Sequence, residues 1–260
     1  MRILLALALI SGTAIAGRGA ESCNPRDLLG AYGLQLTGET TISGLEKPAV
    51  SLGRLVFDDD GGVSGTASVK FAGYLLGNPV TGTYEAHRDC TVSWSLQDDS
   101  GGYQHFSGVA TSDALRVSFR QSDPGGAQNG LLVRTAADGC KAADLRKSYS
   151  FTISGSLVPM TDGGASGTVA AEGAMEADAN HNFHLLVKGD VPYTTDVAIT
   201  VESDCTVELV STLPFEGGAP APVNLRGILA DAGKEILAIQ TDPGAIVSAR
   251  FTARSGFLSQ

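Results

Sequence analysis

The sequence predicts an all-β protein of two tandem antiparallel up-and-down β-barrel-like domains, with two β-sandwiches as the alternative. A short helical turn opens each unit. Three observations carry this expectation. Apolar and polar residues alternate with period two along short runs. The 33 glycines and 10 prolines are scattered between those runs, which suits many short strands joined by tight turns rather than long helices. The chain also repeats itself.

The repeat is read from three markers. "RDCTVSW" at 88–94 and "SDCTVEL" at 203–209 share Asp-Cys-Thr-Val. Upstream, "CNPRDLLGAY" (23–32) and "CKAADLRKSY" (140–149) both read Cys, three residues, Asp-Leu, three residues, Tyr. Downstream, "QSDPGG" (121–126) is matched by "QTDPGA" (240–245). Three markers in one order at nearly one offset indicate duplication. The copies span 23–136 and 140–254, joined by "ADG" at 137–139.

Each element follows from local pattern. Asn24-Pro25 is an N-cap and first position for a short helical turn. "YGLQLTG" (32–38) and "YSFTISG" (149–155) alternate as first strands. In "CTVSWSLQ" (90–97), Cys90, Val92, Trp94 and Leu96 face one way. In "ALRVSFRQ" (114–121), Leu115, Val117 and Phe119 do the same. Such alternation gives a sheet with one dry and one wet face. About eight runs per copy, with turn signals between them, fit a small closed barrel that removes its own edges. Asp123-Pro124-Gly125 and Asp242-Pro243-Gly244 fit type II turns.

Residues 1–16 read as a secretory signal: Arg2, a short apolar run, then Ala14-Ile15-Ala16 as an A-x-A cleavage site. The position three before Cys23 is Ala20, which does not suit a lipid anchor. No stretch reaches the roughly 18 apolar residues of a membrane helix. Removing Arg2 from the 18 basic residues leaves 17 against 28 acidic, a net charge of −11. That surface repels nucleic acid and anionic membranes. The expected setting is secreted or periplasmic.

Four cysteines, two per copy, in an exported chain point to disulfides. Three connectivities exist. Duplication selects Cys23–Cys90 and Cys140–Cys205, because each unit then carries its own staple. Zinc is a poor rival, since no histidine recurs beside the thiols, and no Cys-x-x-Cys supports a redox role.

The opening "LLGAY" after a helical turn resembles the Gly-x-Trp opening of lipocalin-like barrels, in the broad calycin or allene-oxide-cyclase sense. That resemblance implies a closing arginine over the opening aromatic. Tyr32 with Arg134 fill these places in copy one, and Tyr149 with Arg250 or Arg254 in copy two.

No catalytic residue is assigned. The chain carries no Gly-x-Ser-x-Gly elbow, phosphate loop, His-Glu-x-x-His or dinucleotide fingerprint. "DDDGG" (58–62) reads as a charged hairpin tip rather than a calcium loop. "HNFH" (181–184) reads as a strand whose histidines face opposite sides. No metal or cofactor is expected. On the dry face, Trp94 and Phe119 align with the smaller Leu209 and Ala238. This predicts a ligand cavity in copy two among Phe151, Ile153, Val207, Leu209, Ile236 and Ala238. On the wet face, Arg116, Ser118 and Arg120 align with Glu235, Leu237 and Ile239. The resulting apolar patch on copy two needs a cover: copy one, a second chain or another protein. The leading functional reading is an exported, non-catalytic binding or interaction protein holding a small apolar ligand. A barrel cyclase or isomerase and a structural envelope or adhesion protein are the alternatives.

Overall fold

A computed structural model describes residues 22–42, 45–99, 101–160, 166–189, 192–213 and 221–254, so the predicted signal segment lies outside the described residues. The first unit opens with a 3-10 turn, Pro25–Leu28, capped by the Asn24 side chain. Strands β1 (Gly30–Ile42), β2 (Leu45–Phe57), β3 (Gly62–Phe71), β4 (Tyr74–Ala86), β5 (Thr91–Asp98), β6 (Tyr103–Ala110), β7 (Arg116–Gln121) and β8 (Ala127–Arg134) follow. They pair in sequence order, and β1 closes on β8 with Gly33 opposite Val133. The second unit opens with Ala142–Asp144 and continues through β9 (Ser148–Leu157), β10 (Gly167–Ala177), β11 (Phe183–Val187), β12 (Tyr193–Val201), β13 (Thr206–Leu213), β14 (Ala221–Ala230), β15 (Glu235–Gln240) and β16 (Ala245–Ala253). It closes where β16 meets β9, with Phe251 opposite Phe151. Both units are closed barrels, so every strand finds two neighbours and no sheet edge is left.

The Asp-Cys-Thr-Val stretches sit on the turns entering β5 and β13. Asp89 Oδ1 accepts hydrogen bonds from Thr91 N (3.1 Å) and Thr91 Oγ1 (2.6 Å), which folds Cys90 into the left-handed region at φ 68°. Asp204 Oδ1 accepts from Thr206 N (2.9 Å), and Cys205 has φ 72°. This geometry points each sulfur back at the N-terminal segment. The disulfides are Cys23–Cys90 and Cys140–Cys205, closing separations of 67 and 65 residues. On the chain-entropy account each stabilises its barrel by about 4 kcal/mol.

The Asp-Pro-Gly turns do more than reverse the chain. Gly125 and Gly244 take φ 77° and 78°, as a type II turn requires. Asp123 then clasps β6 by accepting from His105 N (2.8 Å), while Gln121 Nε2 braces the same carboxylate at 3.1 Å. Asp242 clasps β14 in the same way, with Asn224 N at 2.8 Å and Gln240 Nε2 at 2.8 Å. Asp58 folds the tip of the β2–β3 hairpin by accepting from Asp60 N (3.1 Å) and Gly62 N (2.6 Å).

The two barrels pack into one body. Val50, Leu52 and Val133 on the outside of the first barrel belong to the same apolar cluster as the core of the second. Gly33 sits against Ile228 and Leu237: a Cβ there would lie 3.0 Å from Ile228 Cγ2. Gln35 Nε2 donates to Ala238 O (2.8 Å) and Ala249 O (2.9 Å). Glu235 is buried and bonds both Arg116 and, at 3.0 Å, Arg250. Lys70 is buried at the same seam and donates to Asp242 O at 2.7 Å. Burial pushes its ammonium below the ordinary lysine value, opposed in part by the Asp242 charge. Of the covers expected for the apolar patch on copy two, the first barrel covers Leu237 and Ile239, both fully buried, while Val210 on β13 stays exposed.

Candidate functional site

The two barrels fill differently. In the first, Trp94, Phe106 and Phe119 pack at one level of the interior. Trp94 stacks on Phe106 at 5.4 Å and meets Phe119 edge-on at 4.5 Å. The space for these rings comes from glycine: a Cβ on Gly130 would lie 2.2 Å from Phe119 Cζ. Below them, the Cys23–Cys90 end is shut by Leu28, Tyr32 and Phe57. Arg134 lies 4.8 Å over the Tyr32 ring and bonds Leu29 O (2.7 Å) and the Tyr32 hydroxyl (2.5 Å). Burial pushes the Tyr32 phenol up to about 12, with Arg134 opposing. In the second barrel Tyr149 likewise donates to a turn carbonyl, Gly233 O (2.7 Å), as Tyr32 does to Ala114 O (2.7 Å), but its hydroxyl accepts from Arg146 N (2.7 Å), and Arg254 pairs with Glu176 at 2.9 Å. The closing pair thus takes two forms: the donor to the tyrosine hydroxyl is the Arg134 guanidinium in copy one and the Arg146 backbone amide in copy two.

Above the aromatic level the first barrel holds a cavity of about 390 Å³. Its floor is apolar, with Leu34, Leu96 and Phe106. Its upper wall is a polar collar: Thr40, Ser51, Asn78, Asp98, Gln104 and Gln128. Gln128 is 3% exposed, yet its Oε1 has no hydrogen-bond partner among the described residues. Tyr74, Leu75, Leu76 and Tyr103 are exposed on β4 and β6, and Leu76 and Tyr103 line the cavity as well. A largely apolar cavity with a few convergent polar groups is the usual form of a small-molecule site, and its volume lies in the usual range of roughly 300–1,000 Å³.

The six residues expected to line a cavity in the second barrel are brought together. Phe151, Ile153, Val207, Leu209, Ile236 and Ala238 are all buried within one apolar cluster. Small Ala238 faces small Ala249 in register, while Phe251 and Met175 occupy the centre. None of the six lines the clefts described here.

A second cleft, about 920 Å³, opens between the Ala142–Asp144 turn and β11–β12 of the second barrel and is lined in part by residues of that barrel's core. Leu145, Phe183, Val197 and Ile199 line it, with His181, His184 and Arg146 at its rim. His184 Nδ1 bonds Asp196 Oδ1 at 2.8 Å. His181 has φ 64° and lies in the turn before β11, so strand alternation does not separate it from His184.

No protein-family model matches this chain, and no curated protein sequence matches it. Solved structures give slight overlaps. The transferrin binding protein B of Neisseria meningitidis serogroup B is 8% identical, with 90% of this chain and 75% of that chain covered and a TM-score of 0.35. That of Haemophilus parasuis is 9% identical, with 86% and 75% covered and a TM-score of 0.34. A putative outer membrane protein of Bacteroides fragilis is 12% identical, with 88% and 98% covered and a TM-score of 0.24. Overlaps this slight assign neither a family nor a ligand.

Proposed function

We propose that this is an exported, non-catalytic binding protein whose first barrel holds a small, largely apolar ligand, while the second barrel is a packed support. One observation carries the reading: the first-barrel cavity, apolar below and polar above, stands over an aromatic level and contains a buried, unpartnered Gln128 oxygen. A buried polar atom without a partner costs stability, so it calls for an explanation, and a ligand group in the cavity supplies one. Two disulfides suit the oxidising compartment that the signal segment implies.

The chain reports on this site by itself. Trp94 is its single tryptophan and packs on Phe106, which lines the cavity. Titrating 1-bromooctane into the mature protein is expected to quench Trp94 saturably, and Ala67→Phe, which fills the cavity, to abolish that quenching with the fold intact. Linear, non-saturating quenching that is equal in both proteins would overturn the reading.

A further inference from the structure

We infer that the second barrel, besides supporting the first, carries a site of its own in the cleft beside the Ala142–Asp144 turn, and that this site takes small aromatic acids. The ligand has a ring-sized apolar body and a carboxylate or similar anionic head. The inference goes beyond the first-barrel reading and is independent of it.

Duplication shows where the space comes from. The β2–β3 and β10–β11 turns are built alike: Asp58 Oδ1 accepts from Asp60 N and Gly62 N, and Asp178 Oδ1 accepts from Asn180 N (2.8 Å) and Asn182 N (2.9 Å). That match sets Phe57 against Ala177 and Val63 against Phe183. The pairings Val63–Gly82 and Phe183–Val197 then set Tyr84 against Ile199. In copy one Phe57 is buried, and Tyr84 meets it edge-on at 5.0 Å and donates its hydroxyl to Asp58 O at 2.6 Å. The two rings plug that end of the barrel. Copy two has alanine and isoleucine in their places, and the cleft of about 920 Å³ opens there, with Leu145, Ala177, Phe183 and Ile199 among its lining residues. Phe183 in place of Val63 narrows the gap and leaves an aromatic wall. Space vacated by aromatic rings, with apolar walls and a few polar groups at the rim, has the form of a small-molecule site.

Charge selects the head. Arg146, Lys147 and His181 also line the cleft. Arg146 Nη2 donates to Ala232 O (2.7 Å), and neither Arg146 nor Lys147 forms an ion pair among the described residues. The one lining carboxylate, Asp196, is held by His184 Nδ1 at 2.8 Å, and Asp178 lies 3.8 Å from Nε2 of the same ring. Two cations without a carboxylate of their own, set beside an apolar wall, favour an anion over an amine. His181 adds to this rim. It stands where copy one has Gly61, both with positive φ, 64° and 81°, so copy two carries an imidazole at a position that glycine fills at least cost.

The test is calorimetric titration of the mature chain with 1-naphthaleneacetate and with its neutral counterpart, 1-naphthaleneacetamide. The acid is expected to bind about tenfold more tightly, the worth of one charge-assisted hydrogen bond. Ala177→Phe, which rebuilds half of the copy-one plug, should abolish binding of both compounds with the melting temperature retained. Ile199→Tyr, the other half, tests the same point separately. Lys147→Gln, at an exposed position, should collapse the preference for the acid. Equal affinity of the wild-type chain for acid and amide overturns the anionic class. Wild-type affinity in both Ala177→Phe and Ile199→Tyr puts the ligand elsewhere and overturns the site, as does binding of neither compound at millimolar concentration; both results leave the first-barrel reading standing.

Discussion

Asp89 shows how much a single side chain can organise. Its carboxylate accepts from the hydroxyl and amide of Thr91, which holds its pKa below the ordinary aspartate value and lets Cys90 adopt a positive φ. Alanine there would remove the acceptor that favours this turn, and the disulfide would then hold the strained residue alone. Tyr32 makes the matching point for buried groups. Burial raises its pKa from 10.0 to about 12. A group whose folded pKa is raised contributes stability below its unfolded value and loses it as pH climbs through the folded one. We therefore expect native stability to fall between pH 10.0 and about 12. Ultraviolet titration of the tyrosinate band with parallel circular dichroism checks this. Three of the six tyrosines, Tyr32, Tyr84 and Tyr149, are pushed up by burial, and the late step, accompanied by loss of structure, should shrink in Tyr32→Phe. Ionisation of every tyrosine near the ordinary value in the intact fold would contradict it.

At the scale of elements, strands were the most legible feature, because period-two alternation is a direct print of the pleat. The runs in 90–97 and 114–121 became β5 and β7, with Val92, Trp94, Leu96, Val117 and Phe119 all buried. What alternation does not encode is how closely neighbouring backbones approach. Gly82 on β4 sits where the β4–β5 pairing is interrupted, between Thr81–Gln97 and Tyr84–Trp94, with the register the same on either side. A Cβ at Gly82 would lie 1.8 Å from Ser95 O, a backbone atom that cannot swing away. Gly82→Val is expected to destabilise the first barrel by about 2 kcal/mol through overpacking. Urea unfolding followed by Trp94 fluorescence reads that barrel directly, and an unchanged midpoint would count against this account of the close approach.

At the scale of the whole molecule, the two barrels behave as one body because their seam is both apolar and charged. Glu235 links Arg116 of the first barrel to Arg250 of the second, with its own side chain 3% exposed. Removing it leaves two arginines facing one another at a seam that has lost its anion. Glu235→Ala should cost about 2 kcal/mol, less than a fully buried pair because both arginines keep some solvent contact. The expected signature is a lower midpoint, with Trp94 fluorescence and far-ultraviolet circular dichroism no longer coincident as the barrels begin to unfold separately. Coincident transitions at the wild-type midpoint would show that the triad contributes nothing to coupling.

By itself the sequence determined the strands, the duplication and the pairing of Cys23 with Cys90 and of Cys140 with Cys205. Alternation, turn residues and repetition are local or periodic signals that survive in one dimension. Where the first barrel's cavity stands was decided only in three dimensions. The small Ala238 and Leu209 of the second copy lie buried with Phe251 and Met175 in one apolar cluster. In the first copy the large rings of Trp94, Phe106 and Phe119 gather on one level, and the cavity stands above them. The same holds for the covered patch around Leu237: its burial depends on how the first barrel docks. Interior volume is a sum over eight strands from distant parts of the chain, so no single aligned pair of residues can report it.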